Sequence, residues 1–266
     1  RRSSELATST TNTGYFAGGF SNTTTNITDK LNYASETTIA QTTANLSQIR
    51  AGVTGVGSST NGYIAGGYTN PGGVDVITTD KLTYSTDTMA IQTSANLSQA
   101  RQILAGCSGE GTKGYFAGGN SVANGVSTAD KLIYSTDTTS AQTSANLSQA
   151  RSALAGVSEL STKGYFAGGD TGLIVNTTDK ITFSTDTTAA QTSANLIDAT
   201  YRLAGCSGEG TKGYFAGGST SGGTSNKTNK ITYSTDTTAA QTSANISSLR
   251  ESLAGISDLS SKGYFA

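Results

Sequence analysis

Residues 164–169 read GYFAGG, and the same six letters, or a one-letter variant, return along the whole chain. Copies begin at Gly14, Gly62, Gly114, Gly164 and Gly213, and a shortened copy, GYFA, begins at Gly263. Successive copies are 48, 52, 50, 49 and 50 residues apart. Such a regular period indicates a repeat architecture, in which each unit is a small sheet that its neighbours bury.

Four segments of each period have the pattern of β-strands, as the fourth unit illustrates. Residues 154–158 (LAGVS) and 164–169 are small or apolar throughout. Residues 179–184 (DKITFS) and 191–196 (QTSANL) alternate apolar and polar side chains, which is typical of half-buried strands. Residues 184–188 (STDTT) have the composition of a hairpin turn between the third and fourth strands.

The polarity of these segments predicts their order within a sheet. A strand of Ala and Gly fits a crowded axis, a strand that is apolar on both faces lies inside a sheet, and a half-polar strand lies nearer an edge. The sequence therefore predicts an all-β fold, a β-propeller with four-stranded blades of about 50 residues. We expect one repeat domain over residues 1–266, which could be a fragment of a longer array. Its blades are expected near 2–49, 50–100, 101–150, 151–201 and 202–249, with a partial sixth blade at 250–266.

The frame shared by the units resembles the Kelch repeat. That family has a Gly-Gly doublet closing its second strand, an apolar–Tyr pair on its third strand, and an Arg leading into the next blade. In the fourth unit the matching residues are Gly168-Gly169, Ile181 with Phe183, and Arg151. The resemblance covers the whole chain, and it implies a propeller, usually of six or seven blades.

The chain departs from the Kelch pattern at one position of every unit. Kelch units carry a Trp seven residues after the Tyr, and this chain has no Trp. The corresponding places are Ala40, Ile91, Ala141, Ala190 and Ala240. A second resemblance is to the sialidase-type Asp box, because residues 234–241 (STDTTAAQ) keep its Ser and Asp, Ser234 and Asp236, but lack its Gly, Thr and Trp.

Composition excludes several classes of function. The formal net charge of −1, with 13% charged residues, provides no basic surface for nucleic acid or an anionic membrane. No apolar run is long enough for a membrane-spanning helix, so no membrane insertion is expected. The absence of His excludes a Ser-His-Asp triad, and it excludes His metal sites such as those of Kelch-like copper oxidases. We expect no catalytic residue, metal or cofactor.

The two cysteines lie in identical strings, residues 104–119 and 203–218 (LAGCSGEGTKGYFAGG). In the other units, the position of Cys107 and Cys206 is assigned to Val53, Val157 and Ile256. Cysteine therefore replaces a small core residue, and equivalent positions two repeats apart are poorly placed for a bridge. Free buried thiols are expected, with a disulfide or a functional pair as the alternative.

Acidic and tyrosine residues recur at fixed positions of the frame, which favours structural roles. A turn-capping role is expected for Asp87, Asp137, Asp186, Asp236 and, in the first unit, Glu36. Strand-entry hydrogen bonds or surface ion pairs are expected for the acids before Lys, namely Asp29, Asp80, Asp130 and Asp179, with Asn229 in the fifth unit. Core packing is expected for Tyr15, Tyr63, Tyr115, Tyr165 and Tyr214. No Asp-x-Asp pattern suggests a Ca²⁺ site.

Candidate binding residues come from the segments that vary between units and from a series of arginines. The segments between the Gly-Gly doublet and the third strand differ freely, and loops on a rigid scaffold are where binding sites are commonly built, although free drift would look the same. Their candidate residues are Phe20, Asn22, Tyr68, Asn70, Asn120, Asn124, Asp170, Asn176 and Asn226. The arginine series is Arg50, Arg101, Arg151, Arg202 and Arg250, with binding to backbone carbonyls between blades as one role and recognition as the other.

These features favour a non-enzymatic, multivalent binding module that recognises a glycan or protein surface through loops on one propeller face. The alternative is a structural scaffold subunit of a larger assembly, such as a phage tail or fibre, with self-association in the particle. A sialidase-like hydrolase is the third hypothesis. Low charge with abundant Thr, Asn and Gly predicts an extracellular or virion-surface location.

Overall fold

A computed structural model describes residues 13–70, 73–109, 111–122, 124–159, 161–208, 210–258 and 261–266. The regular structure of these residues is β-strand with short 3-10 turns, which confirms the all-β class. None of them belongs to a helix that is long and apolar enough to cross a membrane. The predicted first blade begins at residue 2, so its first part lies outside the described residues.

The strands fall into six successive units. Unit one contains β1 (Thr13–Ala17), β2 (Phe20–Ser21), β3 (Thr23–Thr24), β4 (Thr28–Asn32) and β5 (Thr37–Ala40). Unit two contains β6 (Arg50–Ala51), β7 (Thr54–Gly57), β8 (Asn61–Ala65), β9 (Tyr68–Thr69), β10 (Val74–Asp75), β11 (Thr79–Thr83) and β12 (Thr88–Ile91). Unit three contains β13 (Ala105–Gly109), β14 (Lys113–Ala117), β15 (Asn120–Ser121), β16 (Asn124–Gly125), β17 (Ala129–Ile133) and β18 (Thr138–Ala141).

The later units follow the same plan. Unit four contains β19 (Ala155–Ser158), β20 (Lys163–Ala167), β21 (Thr178–Thr182) and β22 (Thr187–Ala190). Unit five contains β23 (Ala204–Gly208), β24 (Lys212–Ala216), β25 (Ser219–Thr220), β26 (Gly223–Thr224), β27 (Thr228–Thr232) and β28 (Thr237–Ala240), and unit six contains β29 (Gly255–Ser257) and β30 (Gly263–Phe265). Single 3-10 turns span Thr42–Ala44, Thr93–Ala95, Thr143–Ala145, Thr192–Ala194 and Thr242–Ala244.

Units two to five are four-stranded antiparallel meanders, with orders such as β19-β20-β21-β22. The predicted first three strands of unit four match β19, β20 and β21, but the predicted fourth strand at 191–196 is wrong. Strand β22 is Thr187–Ala190, directly after the turn, and a 3-10 turn follows. The Asn195 side chain accepts a hydrogen bond from the Thr178 backbone N–H at 2.9 Å and holds that turn against the third strand.

The first strands of adjacent units pack closely against each other. At the glycine of each strand there is no room for a side chain. A Cβ built on Gly156 would lie 2.0 Å from the carbonyl oxygen of Gly106, and one built on Gly205 would lie 2.2 Å from that of Gly156. Such distances are far inside van der Waals contact. The Ala-Gly composition of the first strand is therefore a packing requirement.

Aromatic stacks join the second strands of units one, two, three, four and six to the aromatic residue that follows the third strand of the next unit. The ring centroids of Tyr165 and Tyr233 are 5.6 Å apart and nearly parallel. Equivalent stacks pair Tyr15 with Tyr84, Tyr63 with Tyr134, Tyr115 with Phe183 and, between units six and one, Tyr264 with Tyr33. Each stack lies between two sheets that expose apolar faces, so neither unit buries its faces alone.

A carboxylate on each third-to-fourth-strand turn binds the preceding unit, rather than only capping its own turn. Asp236 accepts hydrogen bonds from Lys163 at 2.8 Å, from Lys180 at 2.7 Å, and from the Tyr165 hydroxyl. Asp186 accepts from the same three donors of unit three, whereas Asp87 and Asp137 each accept from one Tyr and one Lys of units one and two. Glu36 of unit one is bound in this way by unit six, through Lys262 at 2.6 Å and Tyr264 at 3.3 Å.

Three fully buried arginines, Arg50, Arg101 and Arg151, connect unit one to two, unit two to three and unit three to four. The Arg101 carbonyl accepts a hydrogen bond from Gly67 of unit two, while its guanidinium donates to Thr128 and Gly118 carbonyls and to Asp130 of unit three, the last at 2.6 Å. The same buried ion pair joins Arg50 to Asp80 and Arg151 to Asp179. Burial lowers the pKa of each guanidinium, and the facing carboxylate opposes that change. The expected binding to backbone carbonyls is what the structure shows.

The fifth unit replaces both members of this pair, and this corrects the predicted arginine series. Thr200, not Arg202, occupies the arginine position, because its carbonyl accepts from Gly169 as that of Arg151 does from Gly119. The acid is replaced in the same unit by Asn229, whose side chain accepts from the Ile197 backbone at 3.1 Å. Both charges are thus absent together, as the cost of burying an unpaired charge requires.

Cys107 and Cys206 are free and buried, which confirms the first of the two expectations. The register pairs Cys107 with Tyr115 and Val56 with Tyr63. Val56, not Val53, is therefore the residue of unit two that is equivalent to the cysteines.

We predict that Arg101→Thr lowers the free energy of unfolding by about 3–5 kcal/mol, because it leaves Asp130 buried without its partner. The double variant Arg101→Thr with Asp130→Asn, which copies the fifth unit, recovers most of that loss. Urea unfolding of both variants measures the difference. A double variant that is as unstable as the single one would contradict the pairing.

Acid should weaken the junctions made by Asp186 and Asp236. Burial alone would raise the pKa of each carboxyl, but hydrogen bonds from lysines and Tyr lower it to about 2 from 3.8. A depressed folded-state pKa stabilises the fold above pH ~4 and ceases to do so as the pH falls to about 2, with about 2 kcal/mol at stake for each group. Urea unfolding between pH 5 and 2 should be less pH-dependent in Asp186→Asn than in the wild type, and an unchanged dependence would contradict the assignment.

Candidate binding face

The variable segments form small hairpins that project from the ends of the second strands. β2 pairs with β3, β9 with β10, β15 with β16, and β25 with β26, while the hairpin of unit four is held by a bridge between Asp170 and Ile174. A left-handed backbone lets the chain reverse at the tips, as at Asn22 and Val122, whose φ values are 62° and 50°.

These hairpins lie beside the segments that connect one unit to the next. The backbones of Asn120 and Gln102 exchange hydrogen bonds at 2.9 and 3.0 Å, and bridges join Asp170 to Ser152 and Ser219 to Tyr201. The Gln99 side chain donates to the Ser121 hydroxyl at 2.9 Å. We call this surface the loop face; it comprises the variable segments 20–27, 68–70, 73–77, 120–122, 124–127, 170–177 and 219–227, and the connections 47–50, 98–101, 148–151, 197–200 and 247–250.

The predicted loop residues divide into exposed and structural groups. Phe20, Asn22, Asn70 and Asn124 are exposed on the loop face. Tyr68 and Asn120 are half-buried and pair through their backbones with the chain entering their own units.

The remaining predicted loop residues serve the fold. Asn176 donates from its side chain to the Leu196 carbonyl at 3.1 Å, and the Asp170 carboxylate accepts from Gly172 at 2.7 Å within its own turn. The Asn226 carbonyl accepts from Ile246 at 3.0 Å and is half-buried. Asn176 and Asp170 use their side chains to hold the hairpins in place, and Asn226 contributes its backbone carbonyl.

The predicted arginines do not form a recognition surface. Arg50, Arg101 and Arg151 have no exposed surface, so they cannot contact a partner directly. Arg250 is half-buried, and Arg202 is exposed and pairs with Glu251 at 3.0 Å. A recognition role for the buried three is therefore corrected to that of structural connectors.

Aliphatic side chains at the hairpin tips are the functional candidates that the sequence reasoning missed. Val74 is 60% exposed, Val122 86% and Leu173 78%. They lie in segments rich in Gly, Asn, Asp, Ser and Thr (NPGGVDV, NSVANG and DTGLIV), where Val76 follows Val74 by two residues and Ile174 and Val175 follow Leu173 directly. An apolar residue at the tip of a largely polar loop was the available signal.

The loop face collects most of the large apolar side chains that the described part of the chain exposes. Besides the three tips, it carries Phe20, Ile27, Ile49, Ile77, Ile197 and Leu249. The two others, Ile39 and Ile91, lie on fourth strands. Single exposed apolar residues are ordinary, but their concentration on one face makes the loop face the candidate contact surface.

A narrow cavity opens between the first strands at the same side of the units. It measures about 110 Å³ and is lined mainly by Gly, Ala and Leu, with Arg202 as the charged residue among its lining. Backbone hydrogen bonds surround it: Ile103 donates to Gly52 at 2.7 Å, and Ala153 to Ile103 at 2.9 Å. Ile103 has φ 48°, a strained value for a β-branched residue that this ladder enforces. The volume is below that of typical small-molecule pockets.

The acidic residues of the described part of the chain lie in structural contacts and form no metal-binding cluster. No group of three or more Cys, Asp or Glu that could hold a metal ion occurs there. The repeated turn acids accept hydrogen bonds from Lys and Tyr of neighbouring units, as at Asp236.

No family model matches the chain, and no curated protein matches it. The resemblance to the Kelch repeat therefore stays a prediction.

We predict that Asn176→Ala costs about 1 kcal/mol of unfolding free energy, because the Leu196 carbonyl loses its side-chain donor. Asn124→Ala, at an exposed tip, should change stability by less than about 0.5 kcal/mol. Thermal or urea unfolding of the two variants measures the contrast. Equal effects would mean that the two asparagines do not differ in role.

Proposed function

We propose that the six units are arranged radially as a β-propeller. The support is the contact between the last unit and the first: the Tyr33 hydroxyl donates to the Ser257 carbonyl at 3.0 Å, and Lys262 pairs with Glu36. The same contacts occur between consecutive units, where Tyr233 donates to Ser158 at 3.1 Å. In a stack that continued in one direction, unit six would not meet unit one.

We further propose that the protein is a non-enzymatic binding module that contacts a macromolecular surface through the loop face. The observation that carries this proposal is the presence of Val74, Val122 and Leu173 at the tips of hairpins whose frame is nearly invariant within the chain. Side chains that serve packing are buried in this repeat, whereas these three are presented to solvent. Several such tips on one rigid scaffold act together and gain avidity.

The chemistry of the tips favours a protein partner over a glycan. Aliphatic tips add apolar contact area, and the near-neutral chain does not select a strongly charged partner. Phe20 and the half-buried Tyr68 provide the aromatic surface of units one and two, so glycan binding there is the second outcome to test. An extracellular or virion-surface location is part of this proposal.

A scaffold role in a larger assembly is the alternative, because the same exposed aliphatic residues would suit a permanent interface. The two roles differ in their partners. A scaffold subunit would use the loop face for self-association or for a neighbouring subunit, and it would capture no separate surface ligand.

We predict that the triple variant Val74→Ser, Val122→Ser, Leu173→Ser folds normally and loses at least tenfold in affinity for the surface ligand. Screening on protein and glycan arrays identifies the ligand, and titration with the wild type and the triple variant measures the loss. The matched control is Ile39→Ser with Ile91→Ser, which removes exposed aliphatic residues from fourth strands. An equal loss in the control, or no loss in the triple variant, would contradict the proposal, and self-association lost only in the triple variant would favour the scaffold.

A further inference from the structure

The buried arginine at the junction of units two and three uses all but one of its hydrogen-bond donors within the protein. A guanidinium carries five N–H donors in one rigid plane. The two terminal nitrogens of Arg101 bind the carbonyls of Gly118, Thr128 and Phe116 and the carboxylate of Asp130. The remaining nitrogen, Nε, is buried and has no hydrogen-bond partner in the protein.

The carboxylate of the same ion pair has a matching unused acceptor. Oδ2 of Asp130 accepts from Arg101 at 2.6 Å and from the Ser98 backbone N–H at 3.2 Å, whereas Oδ1 is buried and has no partner in the protein. A buried donor or acceptor that makes no hydrogen bond costs free energy, and more so when its group is charged. The pair therefore requires a group that accepts from Nε and donates to Oδ1.

The same two atoms are left over at the two equivalent junctions. Nε of the arginine and Oδ1 of the aspartate are buried without a protein partner in the pair of Arg50 with Asp80 and in the pair of Arg151 with Asp179. In both pairs Oδ2 accepts from a backbone N–H at 3.2 Å, as it does in Asp130. Because three pairs leave the same atoms over, the demand belongs to the junction and not to one side-chain conformation.

Unit five, where both charged residues are replaced, does not make this demand. The Thr200 hydroxyl donates to the Asp198 carbonyl at 3.0 Å, and the side-chain oxygen of Asn229 accepts from the Ile197 backbone N–H at 3.1 Å. Neither Thr200 nor Asn229 contributes to the buried, unpartnered side-chain atoms of the described residues. This unit provides a natural control within the chain.

The surroundings of the pair decide which molecule can join the two atoms. A direct bond between Nε and Oδ1 would turn the guanidinium and take its terminal nitrogens away from the carbonyls that they bind. A cation would be repelled by the guanidinium and an anion by the carboxylate. All six side chains of the three pairs lack exposed surface, so a large ligand has no access. A small neutral molecule that both donates and accepts satisfies these conditions.

We propose that each of the three arginine–aspartate pairs binds one buried water molecule, which accepts from Nε–H and donates to Oδ1. The two atoms belong to one ion pair, and a water molecule spans two groups through hydrogen bonds of about 3 Å each. Buried waters in proteins commonly serve polar groups that the chain itself leaves unpaired. The matching place in unit five binds none. These sites are separate from the loop face and do not depend on the function proposed for it.

The first test observes the Nε–H protons of the whole, unmodified chain labelled with nitrogen-15 arginine. We expect cross-peaks with water at Arg50, Arg101 and Arg151 that have opposite signs in NOE and ROE spectra, which marks a bound water and not proton exchange. Arg202, whose side chain is 45% exposed, is the internal control and should show the exchange type. Buried arginines that show no water cross-peak, or the exchange type alone, overturn the proposal.

The second test counts long-lived internal waters by magnetic relaxation dispersion of oxygen-17 water. The double variant Arg101→Thr with Asp130→Asn, which copies unit five, should hold one long-lived water fewer than the wild type. The matched control Asn124→Ala, at an exposed tip, should hold the same number as the wild type. An unchanged number in the folded double variant overturns the proposal, and so does a crystal structure in which Arg101 Nε binds Asp130 Oδ1 directly. If the double variant does not fold, the first test decides.

Discussion

The carboxylate at the tip of each third-to-fourth-strand turn is the contact on which the arrangement of the units depends. Each of these carboxylates accepts from a Tyr and at least one Lys of the preceding unit, and Asp236 accepts from Tyr165 and from two lysines of unit four. A sheet of four short strands exposes apolar surface on both faces, so it needs a neighbour at a fixed distance and rotation. A charge-assisted hydrogen bond between adjacent units specifies that geometry, and apolar packing then stabilises it. The nearly invariant Tyr and Lys of the repeat frame are explained by this junction.

Buried arginines add a second contact at three of the connections, those between unit one and two, two and three, and three and four. Because an arginine such as Arg101 binds one unit through its backbone and the next through its side chain, the connecting segment is fixed at both ends. The loss of the arginine and of its acid together, at Thr200 and Asn229, shows that either charge alone is costly there. A frame held in this way leaves the intervening hairpins free to differ, and it leaves their apolar tips exposed to solvent.

Much of the fold could be predicted from the sequence, because apolar alternation and the period of the repeat record burial directly. The fourth strand could not, since residues 191–196 alternate like a strand although the Asn195 side chain caps a 3-10 turn through a hydrogen bond to Thr178, seventeen residues away in the chain. Arg202 was placed in the arginine series because it is the nearest arginine in the sequence of unit five. The strand register, which the sequence alone does not show, gives that position to Thr200. The sequence located the loops as candidates. It could not distinguish Asn176, which supports the fold, from exposed tips such as Val122, because that distinction depends on side-chain contacts.

The proposed radial arrangement depends most directly on the contact between unit six and unit one. The direct measurement is a nuclear Overhauser spectrum of the folded chain with selectively labelled tyrosine. A radial arrangement predicts cross-peaks between the rings of Tyr33 and Tyr264, whose centroids lie 5.8 Å apart although 231 positions separate them in the sequence. Cross-peaks between Tyr165 and Tyr233 without any between Tyr33 and Tyr264 would show an open array of units and would contradict the radial arrangement.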